Sequence, residues 1–169
     1  MIILGIDPGT ALTGFAVLEK SKDRDEKPKV IDFGCITTHP GDTMGQRLVD
    51  IYTEIQKLIK EHKPGKVSVE SLFFFKNAKT VMQVSQARGV VLLAAAKERV
   101  PIVEFTPLQV KMTVVGYGRA EKKQVQEMTK QLLDFGNLDR KSKHRKKDDA
   151  ADALGVALCA ALVVDKLKA

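Results

Sequence analysis

The sequence predicts an α/β domain built on a mixed five-stranded sheet, three antiparallel strands and then two parallel ones, with helices on its faces. Three observations lead there. Residues 2–38 hold three apolar, turn-separated runs of strand character; beyond residue 44, helical periodicity alternates with short strand-like runs. With 169 residues, 44% of them hydrophobic, the chain is one domain long and able to bury a single substantial core, so residues 1–169 are expected to form one domain.

The elements follow in order. IILGID is a buried-strand run ending at Asp7, Pro8-Gly9-Thr10 is turn chemistry, and TGFAVLE at 13–19 returns as the second strand of a hairpin. The polar stretch SKDRDEKPK is the loop to a third strand, VIDFGCITT at 30–38. Leu48, Ile51, Tyr52, Ile55, Leu58 and Ile59 recur at helical spacing, which predicts a helix from residue 44 to about 62, capped by Asp42 or Thr43 and stopped by Pro64-Gly65. VSVE at 67–70 is the fourth strand. Asn77 caps a long helix to about residue 99 whose small residues, Ala87, Gly89 and Ala94 to Ala96, permit close helix approach. PIVEFT at 101–106 is the fifth strand, Pro107 opens a short helix to about residue 115, and Gly116-Tyr117-Gly118 breaks it. An amphipathic helix at 121–133, the basic connection DRKSKHRKK and an Ala/Leu/Val-rich helix from residue 148 to about 166 complete the chain.

The formal charge of +7 favours an anionic partner, either nucleic acid or an anionic membrane surface. No run approaches the roughly 18 apolar residues of a bilayer span, and MIILGIDPGT lacks a basic n-region and a small-residue cleavage site, so a cytoplasmic protein is expected. Cys35 and Cys159 are isolated, which fits reduced core residues rather than a disulfide or zinc site.

Right-handed crossovers would return the fourth and fifth strands beside the first, and so bring Asp7 and Glu70 to corresponding ends of neighbouring strands. Asp149 and Asp152, three residues apart, share one face of the last helix's first turn. Aspartates there also cap free amides, and Asp148 is left to that role. Four acids, each at the end of an element, repel one another unless a cation joins them; oxygen-only ligands suit Mg²⁺ or Mn²⁺ better than zinc. Two such ions about 3.5–4 Å apart support in-line attack of water on a phosphodiester. Lys76, Lys79, Lys111, Arg119, Lys122, Lys123 and the run at 140–147 would hold such a substrate, or form a solvated face. Beside Glu70 stand Phe73, Phe74 and Phe75, three adjacent rings that cannot all turn inward. Two other classes stay open at this point. GIDPGT is similar to the first phosphate loop of the actin, sugar kinase and heat-shock ATPases, which need two lobes and a second phosphate loop; the other class is a non-enzymatic nucleic-acid-binding module, and the discriminator is whether the four acids matter for turnover but not for binding.

GIDPGT at 5–10, VES-LFF-KNA through 69–78, QARGV at 86–90, QVK-TVVG at 109–116, AEK-QVQ-M at 120–128 and DAADAL at 149–154 resemble, in their order and spacing and nearly end to end, the RuvC family of Holliday junction resolvases. The resemblance implies a ribonuclease H-like fold and a homodimer that makes paired, symmetric incisions in four-way junction DNA during recombination and repair. It implies Mg²⁺, two ions per site with Mn²⁺ able to substitute, and an Asp-Glu-Asp-Asp set falling on Asp7, Glu70, Asp149 and Asp152 as catalytic and metal-binding residues. It implies that Phe73 stacks on a base, that Lys111, Lys122 and Lys123 lie near phosphates, and that a branch-migration helicase is a partner. Lys76 and Arg119 join the DNA-binding set by charge, and Ala87 and Gly89 are expected at the dimer contact. Phe74 and Phe75 are left to core or dimer packing. The YqgF type of ribonuclease H-like nuclease shares the opening GIDxG; the ESLFF segment and the DAADAL ending favour the resolvase.

Overall fold

A computed structural model of the chain describes residues 1–23, 25–71, 78–136, 138 and 150–163, with backbone alone at 78–80. Its strands are β1 (Ile2–Asp7), β2 (Leu12–Glu19), β3 (Lys29–Thr37), β4 (Lys66–Glu70) and β5 (Ile102–Phe105). Its helices are α1 (Met44–His62), α2 (Ala78–Lys97), α3 (Pro107–Val114), α4 (Lys122–Leu132) and α5 (Ala151–Val163). The sheet order is β3-β2-β1-β4-β5, with β1, β2 and β3 antiparallel and β4 and β5 parallel to β1.

Every expected element is present, with ends shifted by a residue or two. Thr43 rather than Asp42 caps α1, its hydroxyl accepting from the Gln46 amide, and the helix closes through Lys63 in the left-handed region before Pro64 bars continuation. Thr106 and Glu121, each with a glutamine three residues on, form the capping boxes that start α3 and α4. The expected Asn77 cap and the expected ends of α5 at 148–149 and 164–166 lie outside the described residues.

The strand period of two divides the core. Leu4, Ile6, Val67 and Val69 point to the layer made by α1 and α2, which seats Ile51, Ile55 and Ile59 of α1 and Ala87, Val91, Ala94 and Ala95 of α2. Each buried valine, leucine or isoleucine among them contributes roughly 1.5–3 kcal/mol of burial free energy. Ile3, Ala16, Leu18 and Phe33 point to the opposite layer, where α5 lies directly on the sheet and α3 and α4 pack outside it. All residues of α5 from Ala151 to Ala161 except Asp152 are buried, which explains a helix with almost no polar side.

Two small residues set how closely α5 sits. At Gly5, in the middle of β1, a side-chain carbon would stand 2.5 Å from Ala157 Cβ and 2.6 Å from the Ala153 carbonyl, so only glycine admits the helix. On β4, the fully buried Ser68 hydroxyl donates to the Val156 carbonyl at 2.9 Å. Among the described residues, no helix is long and apolar enough to cross a membrane.

Candidate active site

The alternation that sends Ile3 and Gly5 toward α5 sends Asp7 the same way, and Ser68 does this for Glu70. Ile6 pairs with Val69 in the parallel register of β1 and β4, so the next residues along, Asp7 and Glu70, end adjacent strands side by side. α5 begins above those ends, and its one incompletely buried early residue is Asp152. The turn after Asp7 is held by Thr13, a buried residue whose hydroxyl donates to the Gly9 carbonyl at 2.6 Å.

The electrostatics are those of acids crowded together. Burial, then repulsion from Asp152, pushes Asp7 up to about 6. Burial, then the charge of Asp7 and a hydrogen bond with it, pushes Glu70 up to about 8. The two carboxyls therefore share a proton near neutral pH, with Glu70 donating to ionised Asp7, and they titrate as a pair. Lys122, at the start of α4, donates to Asp152 at 2.6 Å. That bond, with the charges of Asp152, Asp7 and Glu70, holds the ammonium above its ordinary lysine value.

Glu70, Lys111, Lys122 and Asp152 line one cleft of 170 Å³ whose remaining wall is Pro107, Val110, Val125, Ala151 and Gly155. Three carboxyls and no histidine suit a hard divalent cation, and the raised proton affinities of Asp7 and Glu70, set by burial and by neighbouring carboxylate charge, mark a place where such a cation would relieve repulsion. Among the described residues, no three His, Cys, Asp or Glu side chains are drawn tightly enough to share one ion; Asp152 turns to Lys122 instead.

Of the expected site residues, Asp7, Glu70, Asp152, Lys111 and Lys122 are brought together. Lys123, next to Lys122, points away, its ammonium 4.0 Å from Glu127 one turn on. Arg119 is exposed in the turn before α4. Asp149, Phe73, Phe74, Phe75, Lys76 and the run at 140–147 lie outside the described residues. Ala87 requires correction. It is fully buried between α2 and the sheet, because the helix turns that face to the core, and it has no surface for a second chain. Gly89 is on the exposed face, with open space around it and Met82, Gln86 and Leu93 at helical spacing alongside. Sequence reasoning passed over Gly5 and Ser68, which seat α5; the signal was there in a glycine and a serine flanked by bulky apolar residues in strands buried on both faces.

A family model described as crossover junction endodeoxyribonuclease RuvC matches residues 3–160. The crossover junction endodeoxyribonuclease RuvC of Alkaliphilus metalliredigens is 53% identical over 159 residues, 94% of this chain and 92% of that one. That of Ruminiclostridium cellulolyticum is 49% identical over 159 residues, 94% of this chain and 90% of that one. The structure of Thermus thermophilus RuvC is similar with a TM-score of 0.86 at 28% identity, covering 98% of this chain and 96% of that one. T. thermophilus RuvC in complex with a Holliday junction substrate is similar with a TM-score of 0.84, also at 28% identity and with the same coverage. The mixed sheet and its flanking helices are those of the ribonuclease H-like fold.

Proposed function

Since the chain belongs to the family of RuvC crossover junction endodeoxyribonucleases, we propose that it resolves Holliday junctions by paired hydrolysis of phosphodiester bonds, acting in DNA recombination and repair. The observation that carries the reading is the meeting of Asp7, Glu70 and Asp152 at the ends of β1, β4 and α5 beside the Lys122 ammonium. It is supported by the complex of the T. thermophilus relative with a Holliday junction.

Family members are metal-dependent nucleases. In this chain Asp7, Glu70 and Asp152, with Asp149 as a fourth acid, would hold Mg²⁺, two ions per site. Bound there, the metal supplies activation of water and neutralisation of phosphate charge. The protein's own residues do the rest. Lys122, fixed by Asp152, and Lys111 present cations to a phosphate entering the cleft. Pro107, Val110 and Val125 give that cleft an apolar wall, which limits water and strengthens the charge interactions inside it. Loss of the proton shared by Glu70 and Asp7 frees both carboxylates to act as ligands. The products carry 5′-phosphates.

One nuclease domain of 169 residues offers one such site, and symmetric paired incision needs two, so the working unit is a homodimer. Its contact is the exposed face of α2 through Met82, Gln86, Gly89 and Leu93. A branch-migration helicase is the partner that delivers junctions, and the setting is cytoplasmic.

The test is a labelled four-way junction beside a linear duplex of the same sequence, in Mg²⁺ and in EDTA, with an Asp7→Asn variant alongside. Metal-dependent paired nicks in the junction alone, absent from a variant that still binds it, are expected. Binding without cutting under every metal condition would make the chain a junction-binding module, and no preference for the junction would redirect the search to RNA.

A further inference from the structure

The turn between α3 and α4 presents an apolar surface that the cleft chemistry does not use. Leu108, Met112 and Tyr117 are 54%, 51% and 57% exposed. Leu108 and Met112 stand four residues apart on α3, hence on one face, and the turn folds back over it: a side-chain carbon at Gly118 would lie 2.6 Å from Leu108 Cδ1 and 3.4 Å from Met112 Sδ. The backbone of this turn is held. The amides of Val115 and Gly116 donate to the carbonyls of Lys111 and Met112 at 2.9 and 3.1 Å, and the Ala120 amide donates to the Tyr117 carbonyl at 3.1 Å. Gly116 takes the left-handed region at φ +78°, and the capping box of Glu121 and Gln124 fixes the far side. Tyr117 thus rides on a hydrogen-bonded support with its side chain more than half in solvent.

Lys111 and Lys122 flank this turn in sequence, and both line the cleft with Glu70 and Asp152; Arg119 is exposed two residues from Tyr117. An exposed aromatic on a turn bracketed in sequence by two lysines of the candidate cleft has the make-up of a strand-holding surface, the ring stacking on a base while the cations take its phosphates. Apolar exposure alone would suit a protein partner equally well. The cations, on a chain of net charge +7, favour nucleic acid.

Resting on the reading of the chain as a junction resolvase, we propose that Tyr117 is a base-stacking contact: a nucleobase of the bound junction lies on its ring while Lys111, Arg119 and Lys122 hold neighbouring phosphates. Neither the metal site nor Phe73 enters this inference.

The experiment measures junction affinity and cutting for the parent, Tyr117→Phe and Tyr117→Ala, with 2-aminopurine walked through the strand around the cut site. Tyr117→Ala is expected to bind about 5- to 150-fold more weakly, the loss that corresponds to removing one base stack of about 1–3 kcal/mol, with an unchanged thermal melt. Tyr117→Phe should bind like the parent, and one 2-aminopurine position should be quenched by the parent and the Phe variant but not by the Ala variant. Parental affinity and quenching in Tyr117→Ala would overturn the inference and assign the patch of Leu108, Met112 and Tyr117 to a protein partner, leaving the resolvase reading intact. A parent protein that neither binds nor cuts the junction would overturn both.

Discussion

Gly5→Ala changes one hydrogen to a methyl group, yet it should displace the whole helix that carries Asp152. The added carbon would stand 2.5 Å from Ala157 Cβ, 2.6 Å from the Ala153 oxygen and 2.7 Å from the Ala157 nitrogen. Carbon contacts settle at about 3.5–4.0 Å, so α5 has to lift by about 1 Å. Two of the three obstructing atoms are backbone, and no rotamer change relieves them. Overpacking of this kind costs about 1–3 kcal/mol, and stretching the bond from Ser68 to Val156 adds about 1 kcal/mol. For a chain of this size the sum lowers Tm by roughly 4–16 °C. A shift of about 1 Å between Asp152 and Asp7 should also lower the nicking rate about 100-fold. Melts followed by circular dichroism and single-turnover nicking of a four-way junction on the folded variant measure the two effects. Adding Ala157→Gly removes only the methyl–methyl contact and should restore part of the loss. Parental Tm and parental nicking in Gly5→Ala would refute the claim that this glycine seats the site.

Three further outcomes follow from the same geometry. Glu70, pushed up to about 8 in the folded chain, keeps a proton that the unfolded chain releases near the ordinary value of 4.5, so in EDTA stability should be greatest below that range and fall, by a few kcal/mol at most, as pH rises to about 8. Glu70→Gln should flatten this slope in urea titrations across pH, and parallel profiles for the two proteins would contradict the assignment. Lys122→Ala leaves Asp152 without its 2.6 Å partner and should slow single-turnover nicking about 100-fold, more than Lys123→Ala, whose ammonium faces Glu127; equal effects would show that the cleft does not distinguish the two lysines. If the proposed α2 contact joins two chains, the parent should sediment as a dimer and Leu93→Glu on the exposed face of α2 as a monomer with a melt near that of the parent; a parental dimer unchanged by Leu93→Glu would move the interface elsewhere.

The sequence by itself determined the pairing of the acids at the sheet. Strand alternation puts Asp7 on the face of Ile3 and Gly5, and right-handed crossovers lay β4 beside β1, because both rules act on backbone geometry that all chains share. Motif spacing added Asp152, a capping residue marked where α1 begins and Pro107 where α3 begins, while the capping boxes at Thr106 and Glu121 were seen only in the folded chain. Tertiary structure decided what depends on which neighbour fills a given space. A run of small residues on α2 does not say which way each one points, and packing against the sheet turned Ala87 inward and left Gly89, two positions on, outside. Adjacent lysines at the start of α4 read alike in sequence, yet the crossing of α4 over α5 joins Lys122 to an aspartate thirty residues away and leaves Lys123 to its own helix. The proton shared by Asp7 and Glu70 has the same origin: a carboxyl's affinity is set by burial and by charges that only the folded chain assembles.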